Sequence, residues 1–233
     1  MRLLCLHGMY QNAAVFRTKM EPLHVALPHL QLVYLDGPTN LVPKVVSKPI
    51  DTTVFRAWWD PDQTTTTQAQ RQIIDYVGDA IATSGPFDGV LGFSQGASLA
   101  SWLCSSFAQR QLGWSPSVAI FLGGYLHSTT DEIFSNGLVP HVRSFHAFGL
   151  NDRVVPASKS EVLAALFEQG TRPDLVARYS HGHGHIVPKC DGTMHALQSF
   201  LHAMPSPSSS SPPPPSHVDD ANLGRASISA SNL

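Results

Sequence analysis

Three side chains with complementary chemistry stand far apart along this chain: Ser94, Asp152 and His185. Ser94 is the centre of GFSQG, a G-x-S-x-G pentapeptide lying between an apolar run, DGVLGF (88–93), and a helical pattern over 95–110. This is the setting that a nucleophile elbow requires. The serine occupies a tight turn, Gly92 and Gly96 let strand and helix approach closely, and the new helix aims N–H groups at an incoming anion. A serine hydroxyl is a poor nucleophile until a base takes its proton, and the expected base is a histidine held by a carboxylate. After such an elbow the chain order is serine, acid, histidine. Asp152, in FGLNDRVVP just past the run 143–148, is the expected acid; Asp131, inside the excursion 123–141, is its rival. YSHGHGHIVP offers His181, His183 and His185. His185, nearest Pro188 and the final helical pattern, is the expected base, with His183 next. A zinc site from the three imidazoles would lack a clustered cysteine or carboxylate to complete it, so neither metal nor cofactor is expected.

Attack on a carbonyl also needs two donors for the oxyanion that forms. The backbone N–H of Gln95 follows the nucleophile and is one. The other is expected from LCLHGMYQN (4–12), where His7-Gly8 turns sharply and the N–H of Met9 is the candidate, Tyr10 the alternative. The acyl pocket has large apolar candidates in Tyr10, Phe55, Trp58, Trp59, Tyr125 and Leu126. Trp58 and Trp59 have a second reading, as anchors that fasten a long insertion to the core.

These residues need elements to carry them. Short apolar runs at 2–6, 30–35, 88–93, 117–122, 143–148 and 175–179 have the length of buried parallel strands. Helical patterns over 13–27, 66–83, 95–110, 157–169 and 192–203 alternate with them, which predicts an α/β fold: about six mostly parallel strands with helices on both faces. Residues 38–65, with several prolines and the Trp58-Trp59 pair, and residues 123–141 are excursions too short for a separate cap domain.

The 233 residues are 42% hydrophobic and only 14% charged, with a net charge of −2; soluble domains average roughly 25% charged. No basic face invites nucleic acid, and no apolar stretch has the length of a membrane span. Cys5, Cys104 and Cys190 suit neither a disulfide framework nor a metal motif. The N-terminus lacks a signal-peptide core, so a cytoplasmic location is expected. Residues 1–204 form the expected catalytic domain. Residues 205–233, rich in Pro and Ser, read as a disordered tail; the ending SNL loosely resembles a peroxisomal signal and makes that compartment the alternative.

Taken together, LCLHGMYQN, YLDGP (34–38), RAWWD (56–60), GVLGFSQGASLA (89–100), GLNDRVVP (149–156) and HGHGHIVP (181–188) resemble the family of serine hydrolases, the small FSH-type α/β-hydrolases of eukaryotes. Around the histidine that family resembles H-x-G-G-H-x-x-P, and here His183 stands where the first glycine is usual. The resemblance implies a reduced α/β-hydrolase fold without leading antiparallel strands or a large cap, and hydrolysis of an ester or thioester. Many fungal members resemble release thioesterases of polyketide synthases. That implies a role in secondary metabolism, with the acyl carrier domain of such a synthase as partner, or else a general carboxylesterase of small acyl esters. A non-catalytic binding protein on the same fold is the alternative of a different class.

Overall fold

The computed structural model describes residues 1–41, 55–63, 65–127 and 131–203. What the sequence suggests for residues 205–233, SNL ending included, lies outside the described residues, as does most of the insertion (42–54 and 64).

Six strands make one parallel sheet: β1 (Arg2–Leu6), β2 (Gln31–Leu35), β5 (Gly89–Phe93), β6 (Val118–Leu122), β7 (Arg143–Gly149) and β8 (Val176–His181). Each coincides within one or two residues with an apolar run of the sequence. Their order across the sheet is β2-β1-β5-β6-β7-β8. The chain moves outward from β1 to β2 and then returns past β1 to β5, so the winding reverses between β1 and β5. Ligands of open α/β sheets bind outside the strand ends at such a reversal, and the GFSQG turn stands there.

The central strands β5 and β6 are buried along their whole length, because helices cover both faces. Alternate side chains of β6 show it. The Phe121 ring lies 4.9 Å from Phe167 of α7 (Ala157–Gly170). Its neighbour Leu122 points to the opposite face, where it lines a small space together with Leu197 of α8 (Asp191–His202). The same second face holds Phe16 of α1 (Ala13–Lys19), 6.4 Å from Phe93. The first face also carries α3 (Thr67–Ser84) and α4 (Gln95–Leu103). Among the described residues no helix is long and apolar enough to cross a membrane, and none forms a cap over the carboxyl ends of the strands.

Two helical patterns are each split. The pattern 13–27 becomes α1 and α2 (Glu21–Ala26), joined at Met20; Pro22 has no N–H to give and fits only in the first turn of a new helix. The pattern 95–110 becomes α4 and α5 (Ser106–Leu112). The cause is a neighbouring segment: Val139 N–H donates to Cys104 O at 2.9 Å, and Ser106 N–H donates to Gly137 O at 2.9 Å. Ser105 then caps α5 by accepting the Ala108 N–H at 3.0 Å. Two further short elements, without a sequence signal, are an antiparallel ribbon of β3 (Thr39–Asn40) with β4 (Arg56–Ala57) and the helix α6 (Asp131–Phe134). Gly37 lets the ribbon close, since a Cβ there would lie 2.4 Å from Ala57 O.

Candidate active site

Ser94 is the first residue after β5 and the N-cap of α4, with φ 54° and ψ −118°. A left-handed backbone is rare away from glycine and, when held in place, marks functional turns. Among the described residues only Tyr10 and Ser94 are non-glycine residues of this kind. The crowding explains the pentapeptide. A Cβ on Gly92 would lie 2.3 Å from Gly96 O, and one on Gly96 would lie 2.1 Å from Leu6 O.

The hydroxyl of Ser94 meets His185 Nε2 at 2.8 Å, and His185 Nδ1 meets Asp152 Oδ2 at 2.6 Å. The Asp152 carboxylate is 1% exposed. Its other oxygen accepts the N–H groups of Val154 and Val155, each at 2.8 Å. A carboxylate so placed keeps the proton on Nδ1 and leaves Nε2 to accept from the serine. Beneath the imidazole lies Phe93, its ring 4.9 Å away.

The loops bearing Asp152 and His185 are stitched to one another. Leu150 N–H donates to His181 O at 2.8 Å, and Asn151 Nδ2 donates to Gly182 O at 2.7 Å. Gly149 makes room for this, since a Cβ there would sit 2.3 Å from His183 O. His181 is buried, its pKa pushed down by desolvation, and its Nδ1 accepts the His183 N–H at 3.3 Å. Thus the structure brings His185 to the serine, while His181 shapes the loop and His183 is exposed at its crest. The rival acid, Asp131, opens α6.

The β1–α1 loop lies against the elbow. A Cβ on Gly8 would be 2.8 Å from Phe93 Cδ1 and 3.4 Å from the Ser94 Cβ. The N–H of Tyr10 is taken by Arg56 O at 2.9 Å, which removes the alternative donor. Among the described residues no acceptor takes the N–H of Met9 or of Gln95.

A cleft of about 940 Å³ opens beside Phe93 and His185. One wall comes from α1 and α2, including Pro22 and Val25, the other from Ile186, Val187 and Met194, with Lys19 and Lys189 among its charged residues. The six pocket candidates from the sequence do not line it. Trp58 and Trp59 are buried, at 1% and 6% exposure. Trp59 stacks on Trp102 of α4 at 4.8 Å. The tryptophans border a separate cleft of about 640 Å³ with Asn40 and Tyr76. Tyr10 and Phe55 pack edge to face, 6.3 Å apart. The Tyr125 carbonyl accepts the Ser98 hydroxyl, and Leu126 packs against the core.

Sequence reasoning missed Gly123, at the end of β6 with φ 58°. A Cβ there would come within 3.4 Å of His185 Cε1 and 3.9 Å of Asp152 Oδ2. The glycine pair directly after Phe121-Leu122 in VAIFLGG, at the carboxyl end of a strand, was its available signal. The α1–α2 wall of the cleft was missed too, because its apolar residues have the same pattern as a core-facing stripe.

The family described as Serine hydrolase (FSH1) matches the chain over residues 1–197. Esterase OVCA2 of Danio rerio is 32% identical, over 86% of this chain and 96% of that protein. Esterase OVCA2 of Xenopus tropicalis is 31% identical, over 86% and 92%. Among solved structures, acyl-protein thioesterase 2 of Zea mays superposes with a TM-score of 0.56 at 20% identity, covering 86% of this chain and 93% of that one. SOBER1 of Arabidopsis thaliana does so with a TM-score of 0.58 at 17% identity, covering 86% and 99%. At these identities the structural likeness concerns the fold.

Proposed function

The chain belongs to the serine hydrolase (FSH1) family and has a reduced α/β-hydrolase fold, and we propose that it cleaves a carboxylic ester or thioester through an acyl-enzyme on Ser94. The observation that carries this reading is the unbroken line of hydrogen bonds from the Ser94 hydroxyl through His185 to Asp152.

In this reading His185 Nε2 takes the hydroxyl proton as Ser94 Oγ adds to the carbonyl carbon. Asp152 holds the tautomer and stabilises the imidazolium. The carbonyl oxygen becomes an oxyanion between the N–H groups of Met9 and Gln95, which have no other acceptor among the described residues. Collapse expels the alcohol or thiol, which receives the proton from His185. Water then adds to the acyl-enzyme with His185 again as base. The acid leaves, and the serine regains its proton. The cleft beside His185 seats the apolar acyl group, with the lysines at its edge in water.

The finer reading is release of a polyketide-type acyl chain from the arm of a carrier domain, in fungal secondary metabolism. Its support is the likeness of the motifs and a site that no cap covers among the described residues. The esterase names of the relatives favour the simpler alternative, a carboxylesterase of soluble acyl esters. Turnover of one acyl group offered as a carrier-bound thioester and as an aryl ester separates the two. A kcat/KM higher by tenfold or more on the carrier supports release, and the reverse order supports the carboxylesterase. For either, a fluorophosphonate must label the wild type and fail to label Ser94→Ala; equal labelling of both removes the reading.

A further inference from the structure

The RAWWD segment is left without a task in the acyl cleft, yet it touches both segments that carry the oxyanion donors. We propose that Trp58 is a positioning residue for the oxyanion site, setting the Met9 and Gln95 N–H groups relative to one another; this rests on the acyl-enzyme reading above.

Three contacts of one residue make the connection. The indole Nε1–H of Trp58 donates to His7 O at 2.8 Å. The backbone N–H of Trp58 donates to Gln95 Oε1 at 2.9 Å, and Gln95 Nε2 donates onward to Trp59 O at 2.9 Å. The indole also packs on the His7 imidazole, with centroids 5.1 Å apart. Trp58 is thereby bonded to the loop before Met9 and to the side chain of the residue after the nucleophile.

The imidazole of His7 carries the constraint to the donor itself. Its Nδ1 donates to Gly8 O at 2.8 Å and its Nε2 accepts the Gly37 N–H at 2.9 Å. Burial favours the neutral ring that this pattern requires. Gly8 C=O and Met9 N–H belong to one planar trans peptide, so they point in opposite directions. Fixing the carbonyl on His7 therefore aims the Met9 N–H the other way. Gln11 N–H holds the same carbonyl at 3.2 Å. The other donor is the main-chain N–H of Gln95, whose side chain Trp58 and Trp59 clamp. Trp59 is fixed in turn by its stack on Trp102. Both donors are main-chain groups, so their separation is set by whatever holds the two segments that carry them, and Trp58 bonds to both: to His7 O on one side and to the Gln95 side chain on the other.

Trp58→Phe removes the indole N–H, and Trp58→3-benzothienylalanine removes it while keeping the ring shape and packing. Loss of a whole oxyanion donor costs about 10²–10³-fold, and a misplacement of about 1 Å costs up to about 10²-fold. The expected result for both variants is a fall in kcat of between about tenfold and a hundredfold. KM for an aryl ester stays within about twofold. Affinity for a trifluoromethyl ketone, whose hemiketal oxyanion occupies the donor site, falls by the same factor as kcat/KM. A purely structural tryptophan would lower the melting temperature and leave the ketone affinity unchanged well below it. Wild-type kcat and ketone affinity in the benzothienyl variant overturn the inference. A wild-type protein that takes no fluorophosphonate on Ser94 overturns the underlying reading instead.

Discussion

Gly123 lies directly against His185: a Cβ at this glycine would sit 3.4 Å from the imidazole Cε1 and 3.5 Å from Nδ1. The strand end of β6 thus borders the ring closely enough that an added Cβ would touch it, and the φ of 58° is a backbone conformation that side-chain-bearing residues rarely adopt. Gly123→Ala is expected to cost about 1–2 kcal/mol of stability from the left-handed backbone alone. Gly123→Val adds methyl groups to a Cβ that would already be in contact with the ring, displaces the imidazole and lowers kcat by about 10²-fold. Denaturant unfolding and ester turnover on the two variants check the pair of outcomes.

Asp152 uses one oxygen for His185 and the other for its own loop. In Asp152→Asn the loop N–H groups still demand an acceptor, so the amide nitrogen faces His185. The imidazole must then accept at Nδ1 and carry its proton on Nε2, where it cannot take one from Ser94. A fall in kcat of about 10³–10⁴-fold is expected, in line with what this tautomer costs in other triads. The unfolding midpoint should barely move, because the loop bonds persist. A variant retaining more than a tenth of wild-type kcat would contradict the role.

The chain predicts a specific acid weakness. His146, on β7 between Phe121 and Phe167, is buried; desolvation, with the nearby Arg178 guanidinium, holds its pKa down at about 3. The unfolded chain binds this proton near the ordinary histidine pKa of 6.5, and the folded chain does not. Stability from this group is complete above pH 6.5 and is lost as pH falls from there toward 3, by up to about 1.4 kcal/mol per pH unit. Buried His7 and His181, also pushed down, act with the same sign. Denaturant unfolding at pH 7, 6 and 5 measures the slope, and His146→Phe should make it shallower.

The cleft assignment predicts chain-length selectivity. Met194 is half-buried on α8 and, with Val25, lines the space beside His185. Met194→Trp shortens that space. An acyl chain that loses two buried methylenes, at about 0.8 kcal/mol each, should lose about tenfold in kcat/KM, with acetyl ester turnover unchanged. Equal losses on short and long esters would place the acyl group elsewhere.

The parts of this molecule that were legible in the sequence are those whose signal is local. Each buried strand is a short apolar run, and the elbow announces itself because Gly92 and Gly96 are required by contacts within one strand–turn–helix unit. Asp152 and His185 were singled out by chain order and strand-end position, and the structure brings both side chains to Ser94. The helix breaks at Met20 and Cys104 were hidden, because the apolar pattern runs on across them. The second break is imposed by backbone groups of Gly137 and Val139, distant in sequence. Trp58 could be read from the sequence as a pocket residue or as an anchor of the insertion, because a large apolar indole suits either. Its actual partners, His7 and Gln95, are identifiable only after the chain has folded. The apolar residues of α2 could belong to a core or a cleft, and only packing decides.

During turnover the acyl group must be held on Ser94 Oγ. Rapid quenching of the protein with a slowly hydrolysed aryl ester, followed by digestion and mass spectrometry, reads this directly. The predicted result is an acyl adduct on the peptide containing Ser94, released at the rate of steady-state turnover, and absent in Ser94→Ala. An adduct on another residue, or turnover that persists in Ser94→Ala, would contradict it.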